Sequence, residues 1–241
     1  MANSVVPKIL IASTSTVHGK PYLEYATELI AAHFDEVAKV LFIPFARPGG
    51  ISHDEYTSIA ANYFGKLGIE VRGAHEFMSC EAAIEWAGGV FVGGGSTFVL
   101  VNELHQAGWM DSIRKAVMNG MPYMGTSAGS NVTGMTMCTT NDMPIVYPPS
   151  FETMGFVPFN INPHYLDPDP TSKHMGETRE TRIKEFHAFN KLCVVGLREG
   201  SCLWLRGSHL SLTGELPMRV FEHGKEPREV ESGSDLSFLM I

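Results

Sequence analysis

Ser127 stands in Gly125-Thr126-Ser127-Ala128-Gly129, directly after the short apolar run Pro122-Tyr123-Met124. A serine in a G-x-S-x-G setting between a strand and a helix sits on a sharp turn. The flanking glycines remove steric hindrance there, and its Oγ is lifted to where a carbonyl carbon can reach it. The backbone N–H of Ala128, at the start of the following helix, is placed to donate to an oxyanion. The plainer alternative is a glycine-rich turn whose serine caps a helix.

Such a nucleophile needs a base within hydrogen-bond reach, and the base needs a partner that fixes its tautomer. His164 follows Ile161-Asn162-Pro163, where an Asn-Pro pair pins the backbone just ahead of the imidazole. His174, His187, His209 and His223 lack such a restraint and are weaker candidates. Two acids compete to orient His164. Asp142 lies in the polar turn Thr139-Thr140-Asn141-Asp142-Met143-Pro144, and Glu199 follows the apolar run Leu192 to Leu197. Catalytic groups in parallel sheets collect beyond the carboxyl ends of strands. Ser127 and Glu199 both fit that placement, which favours Glu199, and a turn aspartate commonly bonds its own backbone.

Gly93-Gly94-Gly95-Ser96-Thr97 after a strand matches neither G-x-G-x-x-G nor a P-loop. With a nucleophilic serine nearby, a second oxyanion donor from Gly95 N–H explains it better than a phosphate cradle. Arg179 opens a helical stripe with Ile183 and Phe186 at the i+4 and i+7 positions. An arginine on an inward-facing stripe calls for an anionic partner, unless its stem merely snorkels to solvent.

The elements that must position these residues alternate strand and helix through the first half. Strands are predicted at Lys8–Ala12, Val37–Phe45, Ile69–Ala74 and Gly88–Val92, with helices over Tyr22–Phe34, Asp54–Leu67, Phe98–Gln106 and Met110–Asn119. Continuous apolar strands separated by helices indicate an α/β fold: a doubly wound, mostly parallel sheet covered by helices on both faces. Half of the prolines fall between Pro144 and Pro170, which excludes a regular helix or a central strand there. A polar helix over Thr178–Asn190, a strand over Leu192–Leu197 and short strands with turns at Gly207-Ser208 and Gly214 complete the chain. With no repeat, linker or low-complexity tract, residues 1–241 are expected to form a single domain.

Composition narrows the function further. The net charge of −8 is spread along the chain, so no basic stripe suggests nucleic acid or an anionic membrane. Four cysteines form no C-x-x-C pair, and ten histidines form no H-x-x-x-H, so neither a disulfide framework nor a metal site is expected. No cofactor is implied. The start of the chain has no basic-then-apolar leader and no stretch is long enough to span a membrane, which points to a cytoplasmic protein.

Taken together, the blocks Gly93–Phe98, Pro122–Asn131, Thr140–Val146, Ile161–His164, Gly176–Arg179 and Gly196–Gly200 resemble the S51 serine peptidases, the α-aspartyl dipeptidase (peptidase E) family. They run in that family's order and cover about the last two-thirds of the chain. The resemblance implies a serine hydrolase that releases N-terminal aspartate from Asp-X dipeptides, on a fold like that of class I glutamine amidotransferases. It further implies Ser127 as nucleophile, His164 as base and Glu199 as third member, with Asp142 where the family has also been assigned a catalytic aspartate. Arg179 falls where the family binds the substrate's aspartate side chain. Ser96 departs from the asparagine usual after the three glycines, and a homodimer is suggested. Two alternatives stand beside it: a cyanophycinase-like hydrolase of β-linked aspartyl peptides, and a catalytically silent binder of acidic ligands.

Overall fold

The structure, a computed structural model, describes residues 6–241 apart from 170, 172 and 174. His174 therefore lies outside the described residues. Strands and helices alternate through the first half as β1 (Lys8–Ala12), α1 (Thr27–His33), β2 (Lys39–Ile43), α2 (His53–Gly65), β3 (Glu70–Gly73), α3 (Cys80–Trp86), β4 (Gly89–Val92), α4 (Thr97–Gln106), α5 (Trp109–Met118), β5 (Tyr123–Thr126) and α6 (Ala128–Asn131). The second half contributes β6 (Asn160–Pro163), α7 (Arg179–His187), β7 (Val194–Leu197), β8 (Cys202–Arg206), β9 (His209–Thr213), β10 (Met218–Phe221) and β11 (Arg228–Val230).

Seven strands form the main sheet in the order β3-β2-β4-β5-β1-β8-β9. The run from β3 to β1 is parallel, and the β8–β9 hairpin, turning at Gly207-Ser208, joins it antiparallel. Side-chain alternation along β1 sends Ile9 and Ile11 to one face and Leu10 and Ala12 to the other. The first face packs under α3, α4 and α5, and the second under α1 and α2. Helices on both sides explain why these strands read as unbroken apolar runs. No helix among the described residues is long and apolar enough to cross a membrane.

A second sheet, ordered β11-β10-β7-β6, lies apart from the main one. Its inner face places Ile161, Val195 and Leu197 in the same core as α3 to α5, while Val194 and Phe221 face outward beneath Ile183 of α7. Strand β7, which leads to Glu199, therefore belongs to this second sheet. Strand β6 lies inside the proline-rich stretch and is tolerated there because it is an edge strand, with Pro163 at its last position and no ladder N–H to lose. Gly214 joins strands of different sheets rather than making a hairpin. Helix α3, capped by Ser79, has no counterpart in the sequence reading, because its seven residues are too few to display a helical period.

His33, the last residue of α1, ties the two ends of the main sheet's centre together. Its Nε2–H donates to Tyr123 O at 2.9 Å, and its Nδ1 accepts from Trp204 Nε1 at 3.1 Å. Both ring nitrogens are used by the neutral form. Burial pushes its pKa down from 6.5 to about 3, against a smaller opposing pull from the Tyr123 carbonyl. The unfolded chain then binds a proton that the folded chain refuses, so this contribution is complete above pH 6.5 and is lost as the pH falls toward 3. Urea titrations at about pH 7, 6 and 5 should show the wild type losing on the order of 1.4 kcal/mol per unit more than His33→Gln. Parallel slopes for the two proteins would refute the assignment.

Candidate active site

The elbow is built by close backbone contacts. A Cβ on Gly125 would lie 2.2 Å from Gly129 O, and one on Gly129 would lie 2.2 Å from Val92 O, so neither position admits a side chain. These glycines serve close packing, and the turn itself is made by Ser127, whose φ of 54° and ψ of −111° place it where few non-glycine residues sit. Such a conformation costs roughly 1–3 kcal/mol and persists only where the surroundings enforce it. Here Ser127 N–H donates to Ala12 O at 3.2 Å, and Ser130 Oγ bonds both Ala12 O at 2.6 Å and Gly125 O at 2.8 Å.

Ser127 and His164 come from different sheets. His164 follows β6 with a φ of 52°, a second strained corner. Its backbone N–H donates to Ser13 Oγ at 2.9 Å, and Ser13 Oγ–H donates to Leu197 O at 2.6 Å. Ser13 is fully buried at the carboxyl end of β1, so one hydroxyl joins the ends of β1, β6 and β7. The next residue, Tyr165, lays its ring over Gly196, where an added Cβ would meet that ring at 2.6 Å.

These restraints complete a relay. His164 Nδ1–H donates to Glu199 Oε1 at 2.6 Å, which leaves Nε2 to accept from Ser127 Oγ at 2.9 Å. The His164 and Glu199 side chains are 34% and 46% exposed, so the relay opens directly to solvent and a substrate can reach it. Glu199 lies in the chain between Arg198 and Gly200, the latter at a φ of 86°. The Arg198 guanidinium bonds Asp167 at 2.7 Å and Glu229 at 2.8 Å, fixing the corner after β7.

The glycine run after β4 lies against the nucleophile, for a Cβ on Gly94 would be 2.9 Å from Ser127 Cβ. Gly95, with a φ of 144°, passes so close to Ala46 O that a Cβ would lie 2.2 Å from it. Gly94 N–H is taken by Tyr56 OH at 2.9 Å, whereas among the described residues Gly95 N–H and Ala128 N–H have no protein acceptor. Ser96 caps α4, its Oγ accepting from Val99 N–H at 3.4 Å.

The two acids are separated by the fold. Asp142 does not reach His164. Its Oδ2 accepts from Thr97 N–H at 2.7 Å and from Thr140 Oγ–H at 3.0 Å, at the start of α4. It nevertheless lines the same cavity, of about 300 Å³, as Ser127, His164 and Arg179.

Arg179 is the first residue of α7, where the helix dipole disfavours a cation. Its acidic neighbours are all engaged elsewhere. Glu180 pairs with Lys184 at 2.8 Å and Arg219 at 2.9 Å, and Glu177 and Glu185 pair with Arg182 at 2.8 and 3.2 Å. Among the described residues no carboxylate pairs with Arg179, which is only half-buried and borders the cavity. A positive charge left unpaired beside a nucleophilic serine suits an anionic substrate group.

Among the described residues, the remaining histidine candidates do not line this cavity. His187 donates to Leu192 O at 2.9 Å and packs against His223, and His209 lies opposite Arg206 in the β8–β9 hairpin. Ser13 and Tyr56 were not singled out from the sequence. The polar run Ser13-Thr14-Ser15-Thr16 directly after the first strand is the signal that points to Ser13, since sites gather at that end of a parallel sheet.

Known proteins share sequence and fold with this chain. The profile of peptidase family S51 matches residues 9–213. A Streptomyces coelicolor protein named Peptidase E is 48% identical over 232 residues, spanning 96% of this chain and 94% of its own. A Drosophila melanogaster protein named "Probable alpha-aspartyl dipeptidase" is 43% identical over 235 residues, spanning 96% and 97%. A solved structure of a peptidase from an acI-B1 actinobacterium superposes with a TM-score of 0.72 over 98% of each chain at 17% identity, a likeness of fold.

Removing the Ser13 hydroxyl should uncouple the two sheets at the site. Ser13→Ala leaves the His164 N–H without an acceptor, at a cost of roughly 1–3 kcal/mol, while the Leu197 carbonyl keeps its bond from Tyr165 N–H at 3.1 Å. Thermal unfolding should shift down, and turnover should fall with KM little changed. A variant with wild-type turnover would show that the hydroxyl does not position His164.

Proposed function

Since the chain belongs to peptidase family S51, we propose that it is a serine dipeptidase that releases N-terminal aspartate from Asp-X dipeptides through an acyl-enzyme on Ser127. The observation that carries this reading is Arg179, without a carboxylate partner among the described residues, on the cavity lined by Ser127 and by His164, which Glu199 orients.

In the proposed reaction Ser127 Oγ passes its proton to His164 Nε2 and attacks the scissile carbonyl carbon. Glu199 holds the ring in the required tautomer and stabilises the imidazolium that forms. The N–H groups of Gly95 and Ala128 receive the oxyanion, each worth about 3 kcal/mol. As the C–N bond breaks, His164 returns its proton to the leaving amine. Water, deprotonated by the same Nε2, then cleaves the ester and frees aspartate and the serine. Arg179 pairs with the substrate β-carboxylate, the kind of planar, two-pronged partner that a guanidinium matches. Four free thiols support a reducing, cytoplasmic setting for this activity.

Hydrolysis of α-Asp-X, β-Asp-X and Ala-X dipeptides by wild type, Ser127→Ala and Arg179→Ala tests the reading. Wild type should prefer α-Asp-X over Ala-X by about 10⁴-fold, since Ala-X leaves the Arg179 charge unmatched once the substrate covers it. Ser127→Ala should abolish turnover, and Arg179→Ala should erase the preference while the protein stays folded. Equal rates on Asp-X and Ala-X in the wild type would overturn the acidic pocket. Faster cleavage of the β-linked peptide would replace the dipeptidase reading with that of a β-aspartyl hydrolase.

A further inference from the structure

The cavity beside Ser127 contains a second unpaired charge of opposite sign, and the hydrolytic relay makes no use of it. Asp142 and Arg179 border the same space, yet they form no ion pair with each other. Nor is Asp142 explained by the helix it touches. The N-cap position of α4 is already filled by Ser96, and a neutral acceptor would satisfy Thr97 N–H equally well. Asp142 Oδ2 receives both hydrogen bonds, from Thr97 and Thr140. Its Oδ1 accepts none among the described residues and is not among the buried unsatisfied atoms, so it is an accessible acceptor on a residue that lines the cavity.

The carboxylate is also held in register with the catalytic base. Asn141 Nδ2 donates to Pro163 O at 2.7 Å, and Asn162 Nδ2 donates to Thr139 O at 2.9 Å and to Asn141 Oδ1 at 2.7 Å. These bonds fasten the turn carrying Asp142 to β6, the strand that ends at His164. A positioned anion and a positioned cation that line one cavity with the nucleophile complement a ligand that carries both charges a few atoms from the scissile carbonyl. An N-terminal aspartyl residue does so, with its α-ammonium and its β-carboxylate on adjacent carbons.

Resting on the dipeptidase reading, we propose that Asp142 is the receptor for the substrate α-ammonium, so that the cavity selects an unblocked N-terminal aspartate by both of its charges. Asp142 then sets specificity for the free amino terminus, and Glu199 alone orients His164.

Asp142→Asn tests this, because the amide oxygen can still accept from Thr97 and Thr140 while the charge is gone. The variant and wild type are compared on an Asp-X dipeptide and on its deamino analogue, succinyl-X, which keeps the β-carboxylate and the scissile amide. The wild-type ratio of kcat/KM should exceed about 100-fold in favour of Asp-X, in keeping with a charge-assisted hydrogen bond. In Asp142→Asn the ratio should shrink to within about tenfold, through loss on Asp-X alone. Calorimetric binding of L-aspartate and of succinate gives a readout without turnover: the variant should bind L-aspartate at least about 30-fold more weakly and succinate no more weakly than wild type. An equal fall on both substrates, or an equal fall in both affinities, would make Asp142 a structural residue and overturn the proposal. A wild type that turns over Asp-X but does not prefer it to succinyl-X would also overturn it, leaving the dipeptidase reading intact. A wild type with no Asp-X turnover would overturn the dipeptidase reading itself, and this assignment with it.

Discussion

One buried hydroxyl holds the site together. Ser13 Oγ accepts from the His164 backbone and donates to Leu197, so the carboxyl ends of β1, β6 and β7 meet at a single atom. Ser127 comes from the main sheet and His164 with Glu199 from the second, and their relay exists only while those two sheets keep their register. Two left-handed corners, at Ser127 and His164, aim the reacting groups at each other. Each is an unfavourable conformation that the surrounding contacts over-determine. Gly125, Gly129 and Gly196 supply those contacts by letting backbone or ring atoms approach where a Cβ would collide.

Electrostatics at the site follow from which charges are matched elsewhere. Along α7 and its neighbours, Glu177, Glu180 and Glu185 are drawn to Arg182, Lys184 and Arg219. Among the described residues, that network leaves Arg179 as a cation without a carboxylate, at the helix end where the dipole offers it nothing. In a chain whose net charge is −8, a positive group held free beside the nucleophile is the simplest means of attracting an acidic substrate side chain. Exposed pairs of this kind add little to stability individually. Their effect here is to partition charge.

Much of the fold was legible because the parallel strands are buried on both faces and therefore read as unbroken apolar runs, as in Ile9-Leu10-Ile11 and Val90-Phe91-Val92. The short helix Cys80–Trp86 carried too few turns to show a period. Strand β6 was hidden because prolines mark irregular structure, although an edge position tolerates one. The division into two sheets was likewise not readable, since β7, Val-Val-Gly-Leu, is as apolar as the strands of the main sheet.

The sequence by itself determined the residue types and their chain order. The serine on its glycine-flanked turn, the histidine after Asn-Pro, the two candidate acids and the arginine at the head of a helix are all local patterns. Only the tertiary structure decided between the acids, placing Glu199 at 2.6 Å from His164 and turning Asp142 toward Thr97 and the cavity. It alone revealed Ser13, and it alone showed that Arg179 has no carboxylate partner among the described residues. Pairing is a property of which surfaces meet, and residues 151 positions apart, like Ser13 and His164, carry no mark of each other in the chain until hydrophobic burial brings their strands together.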